Sequence, residues 1–145
     1  MATPESLNQI INEIFALPNP QIASSRRENI ASLVQSTING DSIVDHLSFN
    51  ANVKPNVMGA LVYVLTDRRI VKFDIDPNDI KSVSFPLDTI IGVSRSLEGG
   101  RAGIQLSFQG SGSFGIKYTP PNPKIESFFQ KVDQARGSKV SGSAS

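Results

Sequence analysis

The sequence predicts an α+β fold in which two helices precede a seven-stranded antiparallel β-sandwich or partly open barrel, and a C-terminal helix caps it. Apolar residues recur at helical spacing before residue 41 and again after residue 123, which is typical of amphipathic helices. Between these segments apolar and polar residues alternate in short runs separated by turn residues. The change of period alone therefore divides the chain into helices, strands and a final helix.

A hairpin predicted over residues 59–75 is the element around which the strand region is organised. Its first strand, residues 60–65, is apolar at every position, so both of its faces should be buried. Its second strand, residues 70–75, alternates from Val71 onward, so one face lies in the core and the other is polar. The polar run Thr66-Asp67-Arg68-Arg69 forms the turn between them.

Helices are predicted near both ends of the chain. The first spans residues 4–17 with Pro4 at its first position, and the second spans about residues 21–38. The third follows the prolines at 120, 121 and 123 and should end near Gly137. The apolar stripes of the first and third helices are Leu7, Ile10, Ile11, Ile14 and Phe15, and Ile125, Phe128, Phe129, Val132 and Ala135.

The other predicted strands lie on either side of the hairpin. One covers residues 41–53, and four more cover about residues 83–87, 90–97, 102–109 and 114–118. Their alternation places Val83 and Ile91 on inner faces. We therefore expect three regions along the chain, which are a helical pair at 1–40, a strand-rich domain at 41–137 and a disordered tail at 138–145.

Composition limits the functional classes. The formal net charge of +1 provides no general attraction for nucleic acid, and the aromatic residues fall on inward strand positions where they cannot stack on bases. No apolar run approaches the ~20 residues that a membrane-spanning helix needs. The N-terminal sequence lacks the basic and apolar segments of a secretory signal. We expect a cytoplasmic protein that binds no nucleic acid.

No set of residues predicts catalysis or metal binding. His46 is the only histidine and there is no cysteine, so the sequence offers neither a His/Cys metal site nor a cysteine nucleophile. Asp45 precedes His46 in a strand and therefore points to the opposite face. The glycine-containing turns do not lead from a strand into a helix as phosphate-binding loops do. We expect no enzymatic activity, no metal and no cofactor.

Three segments carry a resemblance to a known family. They are GALVYVLTDRRIVKFDI at residues 59–75, SFPLDTIIGVS at 84–94 and PKIESFFQKV at 123–132. On these segments the chain resembles the bacterial pleckstrin-homology-like (PH-like) superfamily, and within it the GRAM branch. The resemblance implies two nearly orthogonal sheets with the helix at one open end. It also implies non-catalytic binding of lipid headgroups, peptides or proteins, and some bacterial relatives look like ring-forming assemblies.

Two groups of residues are candidate partner contacts. Arg68 and Arg69 in the central turn either contact an anion or partner, or belong to an ordinary solvated turn. Lys54 is the one basic residue in the stretch 50–59, where lipid-binding members carry several, and this disfavours headgroup binding.

The first helix is the second group. Its apolar stripe, with Leu7, Ile11 and Phe15, faces a polar side without lysine or arginine, so protein contact suits it better than a membrane surface. That contact is either packing within the chain or docking to another subunit.

The sequence thus favours a non-enzymatic protein-interaction, adaptor or assembly domain of PH-like fold. Its partner would be another protein or a second copy of the chain, as a homo-oligomer. The alternative is a peripheral membrane adaptor that binds anionic lipid headgroups, which the near-neutral charge disfavours.

Overall fold

In the residues that the structure describes, the chain contains seven β-strands in two sheets and three α-helices. The computed structural model describes residues 4–17, 22–110 and 112–144, with side chains except at 53, 54 and 137–144. This α+β composition and the C-terminal position of the last helix agree with the sequence prediction. No helix in the described ranges is long and apolar enough to cross a membrane. The chain divides into two compact units, Met1–Ser84 and Phe85–Ser145.

The first unit combines two helices with a four-stranded sheet. The elements are α1 (Pro4–Phe15), a 3-10 turn (Ser24–Arg26), α2 (Arg27–Ile38), β1 (Ile43–Lys54), β2 (Val57–Thr66), β3 (Arg69–Ile75) and β4 (Ile80–Pro86). Strands β1 and β2 pair antiparallel, as do β2 and β3, and the order across the sheet is β1-β2-β3-β4. The last two residues of β4 belong to the second unit.

The two N-terminal helices pack on one face of the β2–β3 hairpin. Val62 pairs with Phe73 and Val64 with Val71, so these four side chains form one apolar surface. The stripes of α1 and α2 cover that surface in a single cluster of buried residues, to which the helices contribute Ile10, Ile11, Ile14, Ile30, Val34 and Ile38. The helices before residue 40 and the sheet after it therefore share one core, because neither layer could bury its apolar face alone.

The edge strand β4 differs from its predicted pattern. Val83 was expected in the core but is exposed, and Lys81, Ser82 and Ser84 around it are exposed as well. An edge strand reaches solvent on both faces here, so alternation along it does not report an inner side. The prediction for Val83 was wrong for this reason.

The second unit contains a three-stranded sheet and the last helix. The elements are a 3-10 turn (Leu87–Thr89), β5 (Ile90–Glu98), β6 (Arg101–Phe108), β7 (Ser113–Tyr118) and α3 (Pro123–Ala144). The sheet has the order β5-β6-β7, with both pairs antiparallel, and α3 contacts β5 and the 3-10 turn before β5. Glycines with positive φ at 99, 100, 110 and 112 form the two hairpin turns.

The core of the second unit is aromatic. Phe85 stacks on Phe108 with ring centroids 4.0 Å apart, and Phe114 lies 5.3 Å from Phe108. Phe128 and Phe129 of α3 are fully buried and meet edge to face. The alternation predicted for β6 is confirmed, since Ile104, Leu106 and Phe108 are all buried.

A bulge changes the phase of β5. Ile90 pairs with Phe108 and Gly92 pairs with Ser107, so Ile91 is an additional residue opposite no partner. Ile90 is buried and Ile91 is exposed, which reverses the predicted assignment of Ile91 to the inner face. A prediction from strict alternation does not include the additional residue of a bulge, and for this reason the prediction for Ile91 was wrong.

Helix α3 begins as predicted and ends later than predicted. Asn122 caps it, with its Oδ1 accepting a hydrogen bond from the Ile125 amide at 3.2 Å, and Pro123 takes the first position. The helix continues through Gly137 to Ala144, past its predicted end near Gly137. A single glycine costs a helix only about 1 kcal/mol relative to alanine, and no proline follows it. Ser145 lies outside the described residues.

Replacing Phe128 should show how much α3 contributes to stability. We expect Phe128→Ala to lower the free energy of unfolding by about 3–5 kcal/mol, because a fully buried ring is lost. Ser127→Ala, at an exposed position one residue away, should change it by no more than about 0.5 kcal/mol. Urea denaturation measures both, and equal stabilities for the two variants would show that α3 is not part of the core.

Candidate functional site

A cleft at one end of the three-stranded sheet, beside α3, is the candidate site, and we call it the α3 cleft. Its volume is about 440 Å³, which lies within the range of ligand-binding clefts. All of its lining residues belong to the second unit. They are Arg95, Ser96 and Leu97 of β5, Ala102 and Gly103 of β6, Tyr118 of β7, Pro120, and Glu126 and Gln130 of α3.

The apolar part of the cleft includes a side chain that the fold leaves exposed. Leu97 is 72% exposed, although its strand neighbour Ala102 lies on the face that carries the buried Ile104 and Leu106. Ile91, on the same strand, is 63% exposed. These are the two most exposed large apolar side chains in the described residues, and both lie on an edge strand. An exposed apolar edge strand is a template for pairing with another chain.

A buried tyrosine and a carboxylate connect the sheet to α3 at the cleft. Tyr118 is buried, and burial raises its pKa, with the charge of Glu126 and a hydrogen bond to Glu126 acting in the same direction. Arg95 acts in the opposite direction and lowers that pKa. Glu126 also accepts a hydrogen bond from the Asn122 amide at 3.3 Å. The Glu126 carboxylate is therefore already hydrogen-bonded to groups of the protein itself, whereas the Arg95 guanidinium is exposed.

Basic side chains without ion partners surround this end of the sheet. Between residues 95 and 117 the charged residues are Arg95, Glu98, Arg101 and Lys117. Arg101 and Lys117 line a further depression of about 270 Å³ that shares Ser96, Ala102 and Gly103 with the α3 cleft. In the described part of the chain, none of the three cations forms a hydrogen bond or an ion pair. The excess of free positive charge favours an anionic group on whatever binds here.

The outer face of the same sheet is small and polar. A groove of about 290 Å³ runs over Ser94, Ser96, Gln105 and neighbouring glycines. A Cβ on Gly103 would lie 2.7 Å from Ser96 Oγ, and one on Gly115 would lie 2.6 Å from the Ile104 carbonyl oxygen. The backbone contact at Gly115 therefore requires glycine, whereas the Ser96 side chain could rotate away from a Cβ at position 103. The small residues of these strands account for the groove without a ligand.

The two arginines of the central turn make different contacts in the structure. Arg69 Nε donates a hydrogen bond to Asp41 Oδ2 at 2.8 Å, whereas Arg68 Nε lies 3.9 Å from Asp41 Oδ1 and its side chain is 72% exposed. Thr66 Oγ1 accepts hydrogen bonds from the amides of Arg68 and Arg69 and donates one to Asp41 Oδ2. Arg69 is thus engaged in the turn itself, and Arg68 has most of its side chain in solvent.

Asp41 is the residue that the sequence reasoning missed in this turn. It is buried, and the Thr66 hydroxyl and the Arg69 guanidinium both donate to the same carboxylate oxygen. The carboxylate thereby connects the end of α2 to the β2–β3 turn, 25 residues away along the chain. The signal available in the sequence was the position of Asp41 directly after Gly40, where a helix ends and a strand begins.

Two of the remaining predicted contact residues, Leu7 and Ile11, line a groove of about 200 Å³ between α1 and α2. Ile11 is buried in the core of the first unit, and Leu7 and Phe15 are partly buried against that core. The apolar stripe of α1 therefore packs within the chain, which is the first of the two alternatives that the sequence left open. Lys54 ends β1, and its side chain lies outside the described residues.

His46 has a structural partner. Its Nδ1 lies 3.1 Å from Glu13 Oε1, so the only histidine connects β1 to α1. In the ranges that the structure describes, no group of three or more His, Cys, Asp or Glu side chains could hold a metal ion. The contact with Glu13 therefore indicates that His46 helps to dock α1 on the sheet.

Comparison with known proteins adds the fold alone. No family model and no curated protein matches the chain. Among solved structures, the C-terminal domain of an unknown protein from Leishmania infantum is similar, with a TM-score of 0.52 and 12% sequence identity. The match covers 74% of this chain and 96% of that domain. Identity this low shows a shared fold and carries no function with it.

The two turn arginines form a matched pair for mutation. Arg69→Ala should lower the free energy of unfolding by about 1–2 kcal/mol, because it removes a hydrogen bond to a buried carboxylate from a side chain that is one third exposed. Arg68→Ala should change it by less than about 0.5 kcal/mol. Urea denaturation distinguishes them, and equal losses would mean that the Asp41 contact does not stabilise the turn.

Both tyrosines should resist ionisation in the folded chain. Burial raises the pKa of Tyr63, to which the charge of Asp74 adds, and burial also raises the pKa of Tyr118. Unfolded tyrosine loses its proton near pH ~10, so above that pH the unfolded chain binds fewer protons and stability falls as the pH rises. Absorbance of tyrosinate during a pH titration measures the ionisation. A folded chain that titrates at the same pH as the urea-unfolded chain would contradict this account.

Proposed function

We propose that this chain is a non-enzymatic protein-interaction domain that holds a segment of a partner protein in the α3 cleft. The observation that carries the proposal is the exposure of Leu97 and Ile91 on the edge strand β5. Full burial of a leucine side chain stabilises a protein by about 1.5–3 kcal/mol. Leu97 is largely exposed, so most of this stabilisation is available to a complex that buries it. Leu97 lines the α3 cleft, so a partner that enters the cleft would bury this side chain.

We also propose that the fold is PH-like, in the form of a β-sandwich or partly open barrel. Support comes from the four-plus-three division of the seven antiparallel strands and from the helix that follows the last strand. The segments that carry the sequence resemblance form β2–β3, the β4–β5 region and α3. A scaffold of this kind hosts unrelated functions, so the proposal on function depends on the cleft and not on the fold.

A non-catalytic role is supported by what lines the cleft. Ser96 is the only hydroxyl nucleophile among its lining residues apart from the buried Tyr118, and no general base is hydrogen-bonded to Ser96 in the described residues. Glu126, the one carboxylate of the cleft, is held by Tyr118 and the Asn122 amide. The lining residues can bind and orient a ligand, but they do not combine a nucleophile with a base.

A peripheral membrane adaptor is the second candidate. The free cations Arg95, Arg101 and Lys117 favour it, since anionic lipid surfaces attract clustered basic residues at about 1 kcal/mol each. The cleft beside them favours a protein, because it combines apolar side chains with an edge strand. Sedimentation with phosphatidylserine vesicles distinguishes the two functions.

Affinity capture from the source cells with the immobilised chain tests the protein-interaction function. Proteins retained by the parent chain should be lost with Leu97→Ser, because its side chain is expected to be buried in the complex; the affinity should fall by about tenfold or more. Val83→Ser is the control, since Val83 is an exposed apolar residue on the edge strand β4 of the other unit. Equal capture by parent and Leu97→Ser, with or without loss in Val83→Ser, would contradict the proposal.

A further inference from the structure

We infer that Asn39 is a site of spontaneous modification, at which the side-chain amide is converted to isoaspartate and the first unit is thereby loosened. The site lies in the connection between α2 and β1. It belongs to the first unit, so the inference is independent of the function proposed for the α3 cleft. It follows from the sequence Asn39-Gly40, from the freedom of the peptide unit between these two residues, and from the attachment of both flanking residues to the fold.

The reaction is an intramolecular ring closure followed by hydrolysis. The backbone nitrogen of Gly40 attacks Cγ of Asn39, a nitrogen–carbon bond forms, the Gly40 nitrogen loses its proton, and the side-chain nitrogen leaves as ammonia. Water then opens the cyclic succinimide at either of its carbonyl carbons. Opening at the original backbone carbonyl leaves the chain connected through Cγ, which is isoaspartate, and opening at Cγ gives aspartate. Water is the only co-reactant.

Glycine at position 40 leaves the attacking nitrogen unhindered. The dipeptide Asn-Gly occurs once in the chain, at residues 39 and 40. Gly40 has a φ of +86°, in the left-handed region that favours glycine, and its surroundings are open. Both residues are exposed, so water can reach the succinimide. This asparagine therefore has the least hindered neighbour in the chain and direct access to solvent.

The peptide unit between Asn39 and Gly40 is free to rotate. On its N-terminal side, the Asn39 amide donates a hydrogen bond to the Gln35 carbonyl oxygen at 2.9 Å. On its C-terminal side, the Asp41 amide donates one to the Ile38 carbonyl oxygen at 3.1 Å. In the described residues, neither the Asn39 carbonyl nor the Gly40 amide forms a hydrogen bond. The ψ of Asn39 is 104°, and the rotation that brings the Gly40 nitrogen to Cγ breaks no hydrogen bond of this unit.

Conversion to isoaspartate would lengthen a connection that is fixed at both ends. Ile38 is 0% exposed and Asp41 is 1% exposed, so both flanking residues are anchored in the fold. Asp41 Oδ2 accepts hydrogen bonds from Thr66 Oγ1 at 3.0 Å and from Arg69 Nε at 2.8 Å. Isoaspartate adds a backbone carbon between these anchors. Because Ile38 is held by the core, the contacts of Asp41 with the β2–β3 turn have to shift.

The products also place a negative charge at the C-terminal end of α2. Both isoaspartate and aspartate carry a carboxylate where Asn39 carries a neutral amide. The carbonyl groups at the end of a helix have partial negative charge, so a carboxylate there is unfavourable. The last turn of α2 contains no basic residue that could offset it. We therefore expect aspartate to destabilise the first unit through charge, and isoaspartate through charge and the displacement of Asp41.

Incubation of the full chain at mildly alkaline pH, followed by peptide mass spectrometry, tests the site. Asn39 should lose its amide about tenfold or more faster than Asn29, an exposed asparagine of α2 that is followed by isoleucine. Isoaspartyl methyltransferase with S-adenosylmethionine should then label the parent chain, because this enzyme methylates the α-carboxylate of isoaspartate. Asn39→Gln should take up no label, since ring closure through the longer side chain is much slower. Equal amide loss at Asn39 and Asn29, or equal labelling of both chains, would overturn the assignment.

Urea denaturation of the incubated chains tests the effect on the fold. The converted parent should unfold at a lower urea concentration than the fresh parent, whereas incubation should leave the midpoint of Asn39→Gln unchanged. Asn39→Asp has the charge without the added backbone carbon, so its midpoint should lie between those of the fresh and converted parent. Circular dichroism establishes that both variants fold before incubation.

Two results would contradict the loosening of the first unit. A converted parent as stable as the fresh parent would show that the connection accommodates isoaspartate without cost. An Asn39→Asp chain as unstable as the converted parent would show that charge alone causes the loss, and the displacement of Asp41 would then be wrong.

Discussion

The first unit depends on the burial of both faces of β2. Val62 and Val64 on one face require cover, and α1 and α2 provide it, while Tyr63 and Leu65 on the other face are equally buried. A strand of this kind cannot lie at a surface, so the layers around it are obligatory parts of the fold. The consequence for function is that the apolar stripes of the N-terminal helices are already used. The strongest amphipathic helix in the sequence therefore contributes mainly to folding, and its Leu7 and Ile11 also line a small groove beside α2.

The second unit differs from the first, because part of its sheet extends beyond the apolar core and is exposed to solvent. Phe108, Phe128 and Phe129 bury one part of the sheet, whereas β5 from Ser94 to Glu98 extends into solvent on both faces. Native proteins usually protect such an edge with charges, prolines or bulges. Here the bulge at Ile91 interrupts one half of the edge, and the other half keeps Leu97 exposed among unpaired cations. That combination is the physical basis for placing a partner at β5.

Much of the fold could be predicted from the sequence because its periods are strong. The alternation of Ile104, Leu106 and Phe108 and the helical stripe of Ile125, Phe128 and Phe129 both correspond to buried faces. The errors arose where a local rule was overridden. A bulge changed the face on which Ile91 lies. Val83 lies on an edge strand that is exposed on both faces, so it is not buried as predicted. A glycine at position 137 did not end α3. Each of these depends on pairing or packing that no single strand or helix records.

The candidate site was much less predictable than the fold. The sequence suggested Arg68 and Arg69 as candidate contacts because they are adjacent cations. Arg69, however, donates a hydrogen bond to Asp41, which is distant in the sequence and is brought close to it by the fold. The alternation along β5 places Leu97 on the inner face of the sheet. Its exposure depends on how far the core extends along that face, which the sequence of one strand does not record.

Hydrogen–deuterium exchange of the full chain with and without its captured partner tests the central claim most directly, since a partner that covers an exposed strand protects amides that face solvent in the free protein. The account predicts new protection on β5 within residues 93–98. Protection confined to α1 or to the turn at residues 66–69, with β5 unchanged, would contradict it.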